Sequence, residues 1–170
     1  ASYQDPHPPY VCPEPYFSNV DMDGVEVEGF REGEWDDKPA FYRRYASGSY
    51  WGDEDDTDFI DPDCPVKNIP AIGFKDLDDP LEAIQSYIGM CNMIDAYVGK
   101  LLDALDEMGA RENTLIIFST DHGDCLGRHG LWGKGIAAYE GHQRIPAIAA
   151  WPGAQKSSIG RTESAFNLVD

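Results

Sequence analysis

Residues 113–134 bring a carboxylate, two imidazoles and an ammonium together around a run of glycines. They are Asp121, His122, His129 and Lys134, spaced by Gly123, Gly127, Gly130 and Gly133. A carboxylate beside an imidazole can hold a divalent cation. A lysine returned to them by a compact glycine loop can neutralise an anion at the same place. The competing reading is that Asp121 and His122 only close a turn, and short motif matches carry that risk. Context favours a site, because the pair follows an apolar run and has His129 and Lys134 close by. His7 lies far upstream, between Pro6 and Pro8. Prolines on both sides restrict its backbone, which suits a ring that must be held still.

The elements that must position these residues follow from periodicity. Residues 115–118 are apolar and rich in β-branched side chains, too short a run for a helix, so they predict a buried strand. Asp121 and His122 would then stand just beyond its carboxyl end, where ligands bind in open α/β sheets. Residues 80–108 predict the clearest helix. Asp79 is an N-cap, Pro80 suits the first helical position, and Gly109 suits the position that ends it. Leu81, Ile84, Ile88, Cys91, Ile94, Val98, Leu101, Leu105 and Met108 form an apolar stripe. The stripe should cover one face of the sheet and take no part in chemistry. Residues 136–145 predict a short helix carrying Tyr139, Glu140, His142 and Arg144, with His142 at the surface. A second strand follows at 147–151, stopped by Pro152 and Gly153. Helix then strand across a short connection is an α/β signature. The two strands are therefore expected as neighbours in a mostly parallel central sheet flanked by helices. Elsewhere, Val25 and Val27 alternate with Glu26 and Glu28 as in a short edge strand. Residues 38–45 read as a short helix with Phe41, Tyr42 and Tyr45 on one face. Residues 154–161 read as a polar loop, and a last helix starts at Thr162 or Glu163.

Composition excludes several classes. With 13 Lys and Arg against 31 Asp and Glu, the net charge is −18. Nucleic-acid sites are basic, so none is expected, and an anionic membrane surface is equally disfavoured. A polyanionic substrate is repelled only within about 8–10 Å in physiological salt, so a local positive site can still bind an anion. The run Asp53-Glu-Asp-Asp-Thr-Asp58 with Asp61 and Asp63 lacks the Gly and terminal Glu of an EF-hand loop and reads as a solvated acidic loop. Cys12, Cys64, Cys91 and Cys125 show no zinc or redox spacing. No apolar run reaches transmembrane length.

Several stretches resemble the sulfatases of the alkaline-phosphatase superfamily. They are Ser119-Thr-Asp-His-Gly-Asp124, Leu126-Gly-Arg-His-Gly-Leu-Trp-Gly-Lys-Gly135, Arg144-Ile-Pro146 and Trp151-Pro-Gly153, with Asp5-Pro-His-Pro-Pro-Tyr10 and Pro13-Glu-Pro-Tyr16 upstream. The likeness is most specific between residues 80 and 153 and weak between 20 and 75. It implies an α/β fold, a partial alkaline-phosphatase-like sandwich. It further implies hydrolysis of a small-molecule or saccharide sulfate ester at one divalent metal, Ca²⁺ first, with Mn²⁺ or Mg²⁺ as alternatives because many sulfatases carry Asn at the position of His122. Asp121 and His122 become metal ligands. Lys134 bridges a sulfate oxygen and the nucleophile, and His7 contacts the ester oxygen that leaves. His129 becomes a substrate or supporting residue.

Sulfatases use a formylglycine made from Cys or Ser in a Cys/Ser-x-Pro/Ala-x-Arg motif. That motif does not occur here, since Cys64-Pro-Val-Lys-Asn68 sets Pro one residue early and lacks the Arg. The resemblance thus leads to the expectation of an internal part of one catalytic domain, truncated at both ends and inactive alone. Residues 20–79 would be a variable excursion, and residues 80–170 the α/β part. The runner-up is a phosphonate or phosphate ester hydrolase of the same superfamily, which shares Asp-His-Gly. A non-catalytic relative is the third reading. The upstream sequence, where the nucleophile is expected, discriminates among the three.

Overall fold

The computed structural model describes residues 1–28, 31–34, 36–39, 79–134, 138–152 and 160. The expected helix at 38–45, the acidic run, Cys64, the loop at 154–161 and the last helix lie wholly or mostly outside the described residues.

The long helix forms as Pro80–Glu107 (α1). Asp79 caps it, its carboxylate accepting from the backbone N–H of Leu81 at 2.9 Å and Glu82 at 3.3 Å. At the other end Gly109 takes a left-handed φ of 63°. Its N–H donates to Asp106 and that of Ala110 to Leu105, which satisfies two carbonyls the helix leaves open. Ala83, Ile84, Ser86, Gly89 and Met90 are buried, all in the N-terminal half. The contacts there run to the Pro-rich loop 1–20. Gln85 Nε2 donates to the Phe17 carbonyl at 3.0 Å. Gly89 meets the loop so closely that a Cβ would stand 2.9 Å from the Tyr16 carbonyl oxygen. Of the nine residues of the expected stripe only Ile84 is buried, while Leu81, Cys91, Leu101 and Met108 are exposed, so the face that packs is the one carrying Ala83, Ser86, Gly89 and Met90. The helix therefore packs on the N-terminal loop, where the apolar stripe alone implied the sheet.

A 3-10 turn at Arg111–Asn113 leads into Ile116–Ser119 (β1). Residues 120–134 then form the Gly-rich loop, including a 3-10 turn at Arg128–Gly130. The one-turn helix Glu140–Gln143 (α2) precedes Ala147–Ala150 (β2). The two strands are neighbours, as expected, but they pair antiparallel, Ile116 opposite Ala150 and Ser119 opposite Ala147. The reason lies in the connection. Gly123 N–H donates to the His142 carbonyl at 2.7 Å, and Ser119 Oγ donates to the Pro146 carbonyl at 2.9 Å. The chain is thereby closed back to the end of β1 it left from, and no crossover to the far end takes place.

The short edge strand expected around Val25 does not form. Val25 N–H closes a turn onto the Met22 carbonyl, yet Val25 and Val27 still face inward while Glu26 and Glu28 face solvent. What replaces a pairing strand is the Gly-rich loop. Val27 Cγ1 sits where a side chain on Gly127 would stand, and Glu28 pairs with Arg128 at 3.3 Å.

Candidate functional site

Asp121 and His122 follow β1 after a single intervening residue, Thr120. One carboxylate oxygen of Asp121 accepts from the His122 N–H at 3.0 Å and from Thr120 Oγ1 at 3.4 Å. The other lies 3.5 Å from His122 Nε2. Partial burial raises the Asp121 pKa, but the His122 ring and these donors outweigh it and hold the carboxyl below its ordinary range. His122 Nδ1 is 2.8 Å from the Gly123 carbonyl. A carbonyl only accepts, so Nδ1 donates to it and Nε2 is the ring nitrogen left on the Asp121 side, the one able to ligate a cation when it carries no proton. Metal-ligating histidines are held in this way, the far nitrogen donating to a backbone carbonyl. The pair therefore fits the expected ligand roles. Among the described residues no group of three His, Cys, Asp or Glu side chains converges as a metal cluster. Two donors alone bind a hard cation weakly, because such ions take six or more ligands.

Gly123 makes the turn after the pair. A Cβ there would run into the Gly141 carbonyl oxygen, so only glycine permits α2 to approach. That approach brings the His142 ring to 5.6 Å from His122 and leaves His142 half-buried, where a surface position was expected.

Asp124 organises the rest. One carboxylate oxygen accepts from the N–H of Leu126 and of Gly133, each at 2.9 Å. The other accepts from the Tyr10 hydroxyl at 2.7 Å. Cys125 N–H donates to the Gly133 carbonyl at 3.0 Å, so the loop doubles back and the exposed Lys134 follows directly from the residue bonded to Asp124. Leu131 is fully enclosed and Cys125 nearly so, which gives the loop a small apolar core. Burial and the adjacent Asp124 charge push the Cys125 thiol up to about 11, so it is no nucleophile at neutral pH.

His7 is half-buried, with Nδ1 2.7 Å from the Pro8 carbonyl. That bond likewise calls for a proton on Nδ1 and leaves Nε2 as the ring nitrogen not held by it. Three residues on, Tyr10 fastens the loop. It packs edge-on against Tyr87 of α1 at 6.3 Å between centroids and against Trp132 at 6.2 Å. Burial first, then the Asp124 carboxylate, raises the Tyr10 pKa far above its ordinary value, so it remains a donor. Burial also raises Tyr87, to about 12.

His129 takes a left-handed φ of 58°. Its Nδ1 pairs with Glu34, and its ring stacks on Tyr139 at 3.9 Å. The structure thus joins Asp121 to His122 directly, and joins Asp124, two residues on, to Gly133 beside Lys134 and to Tyr10 of the loop bearing His7. His129 is engaged instead with the segment 31–34. Sequence reasoning assigned no role to Asp124 or Tyr10. Asp124 carried a readable signal, an aspartate accepting from the N–H two residues on. Tyr10 carried none, its partner lying 114 positions away.

The Sulfatase family model matches residues 1–170. The chain is 27% identical over 169 residues to the Escherichia coli (strain K12) protein named "Uncharacterized sulfatase YidJ", covering 99% of this chain and 29% of that protein. Human iduronate 2-sulfatase is 36% identical over 86 residues, 51% of this chain and 16% of that enzyme. Among solved structures, the phosphonate monoester hydrolase of Silicibacter pomeroyi superposes with a TM-score of 0.62 at 27% identity, over 88% of this chain and 28% of that one. The fold is accordingly α/β and alkaline-phosphatase-like, and the chain spans under a third of the length of these relatives.

Proposed function

The chain belongs to the sulfatase family, and from that premise we propose that it forms part of a sulfuric ester hydrolase working at a divalent-metal site. The observation that carries this reading is the Asp121–His122 pair at the exit of β1, with Nδ1 held by the Gly123 carbonyl and Nε2 3.5 Å from the carboxylate. Cleaving a sulfate ester needs attack at sulfur, neutralisation of the non-bridging oxygens and a proton for the departing alkoxide. In this reading Asp121 and His122 hold the cation, and the cation when bound polarises the sulfate oxygens. Ca²⁺ is the first choice for the carboxylate, with Mn²⁺ or Mg²⁺ as the alternatives because His122 stands where many sulfatases carry Asn. Lys134 neutralises a sulfate oxygen. His7, anchored through Nδ1, delivers the proton from Nε2. For the organic part of the substrate, the name iduronate 2-sulfatase among the relatives supports a saccharide.

A second reading, phosphonate monoester hydrolysis, is favoured by the superposition on the Silicibacter enzyme. Both substrates present a tetrahedral monoanion to the same donors, so the substrate must decide. In the longest natural polypeptide carrying residues 1–170, an aryl sulfate should be hydrolysed faster than the matching aryl phosphonate. The reverse order selects the second reading. Asp121→Ala should abolish both activity and the calorimetric binding of Ca²⁺ or Mn²⁺. Undiminished metal affinity in that variant would falsify the ligand assignment.

A further inference from the structure

We infer that the Tyr10–Asp124 hydrogen bond is a positioning device that sets the distance between the proton-donating His7 and the anion site, with no contact of its own to substrate. The inference rests on the reading of His7 as the acid for the leaving group. Three observations support it. The bond joins segments 114 positions apart at 2.7 Å. Its acceptor is the same carboxylate that fixes Leu126 and Gly133, the latter immediately before Lys134. Its donor lies three residues from His7, in a loop whose proline backbone transmits a displacement with little slack. One carboxylate thus measures the loop bearing the acid against the loop bearing the metal ligands and the lysine. Tyr10 is wedged between Tyr87 of α1 and Trp132 of the Gly-rich loop, so its ring keeps its place when the hydroxyl alone is removed.

A misplaced acid has a signature that a loosened fold lacks. An alkyl sulfate, whose alkoxide must be protonated as it departs, depends on the acid. A 4-nitrophenyl sulfate, whose phenolate departs unaided, hardly does. In the longest natural polypeptide carrying residues 1–170, Tyr10→Phe should lower kcat for an alkyl sulfate about tenfold and for 4-nitrophenyl sulfate less than about twofold. His7→Ala should show the same selectivity more strongly, on the order of 10²–10³ for the alkyl ester. Asp124→Asn keeps an oxygen for Leu126 and Gly133 and offers an amide N–H to the Tyr10 oxygen, so it should restore near-parent selectivity, whereas Asp124→Ala should not. Selective loss in His7→Ala with equal loss, or none, on both esters in Tyr10→Phe overturns the positioning role alone. Equal loss on both esters in His7→Ala overturns the reading of His7, and the positioning role with it.

Discussion

The junction around Asp124 and the β1–β2 pair are built on opposite terms. At the junction, loops meet: Leu131 is 0% exposed, Cys125 2%, and one carboxylate satisfies three donors. In the strand pair the apolar side chains stand open, Ile117 at 69% and Ile148 at 60%. Regular structure therefore supplies a direction of exit for Asp121 and His122 and little packing of its own among the described residues. The packing that holds the proposed site comes from irregular backbone fixed by side-chain and close glycine contacts. Loops carry function when something rigid holds them. Here the rigid part is the N-terminal half of α1 with the Pro-rich loop laid along it.

That contrast is sharpened most by removing the charge the junction delivers. In the longest natural polypeptide carrying residues 1–170, Lys134→Ala should lower kcat by on the order of 10²–10³, the usual loss for a charge-stabilising donor. Its melting temperature should hardly move, since Lys134 is exposed. A large drop in stability with unchanged kcat would assign Lys134 to the frame instead. The next effect is on stability. In the 170-residue chain, Leu131→Ala should cost about 2–5 kcal/mol, as for other large-to-small changes in a closed core. Ile117→Ala should stay within about 0.5 kcal/mol, as exposed positions do. Equal costs by thermal unfolding would show that both regions are packed alike and end the comparison.

The sequence made the local features legible and left the distant ones hidden. The helix, its Asp79 cap and its Gly109 stop were readable because each is written within a few residues. The doubling back of the Gly-rich loop was readable for the same reason. Strand direction was not, because an apolar run of four residues looks the same in parallel and antiparallel pairs. It was decided by Gly123 meeting His142, nineteen positions on, through a hydrogen bond between backbones. The partner of the helix was hidden likewise. The apolar stripe pointed to another face of the helix: Gly89, off the stripe, admits the Tyr16 backbone, and Leu81 and Cys91 on the stripe stay exposed. His129 shows the same limit. Its place in the motif pointed to substrate, while the structure turns its Nδ1 to Glu34, far back in the chain.

The smallest expected effect tests how the segment 31–34 is held to the junction. Glu34 accepts from the Arg31 N–H at 3.2 Å and from His129 Nδ1, whose ring lies on Tyr139. Burial raises the Glu34 pKa, but the Arg31 N–H and then His129 outweigh it and leave the carboxyl below its ordinary range. A carboxyl depressed in the fold favours folding fully above its unfolded value, about 4.3 for Glu, and loses that contribution as pH falls through the folded value. For a partly exposed pair the contribution is about 0.2–1 kcal/mol. Glu34→Gln should therefore be less stable than the parent chain at about pH 6, and the gap should close as pH falls below about 4. A gap of the same size at both ends of that range would mean that the charge contributes nothing. The segment would then be held by Val27 against Gly127 and by the Glu28–Arg128 pair.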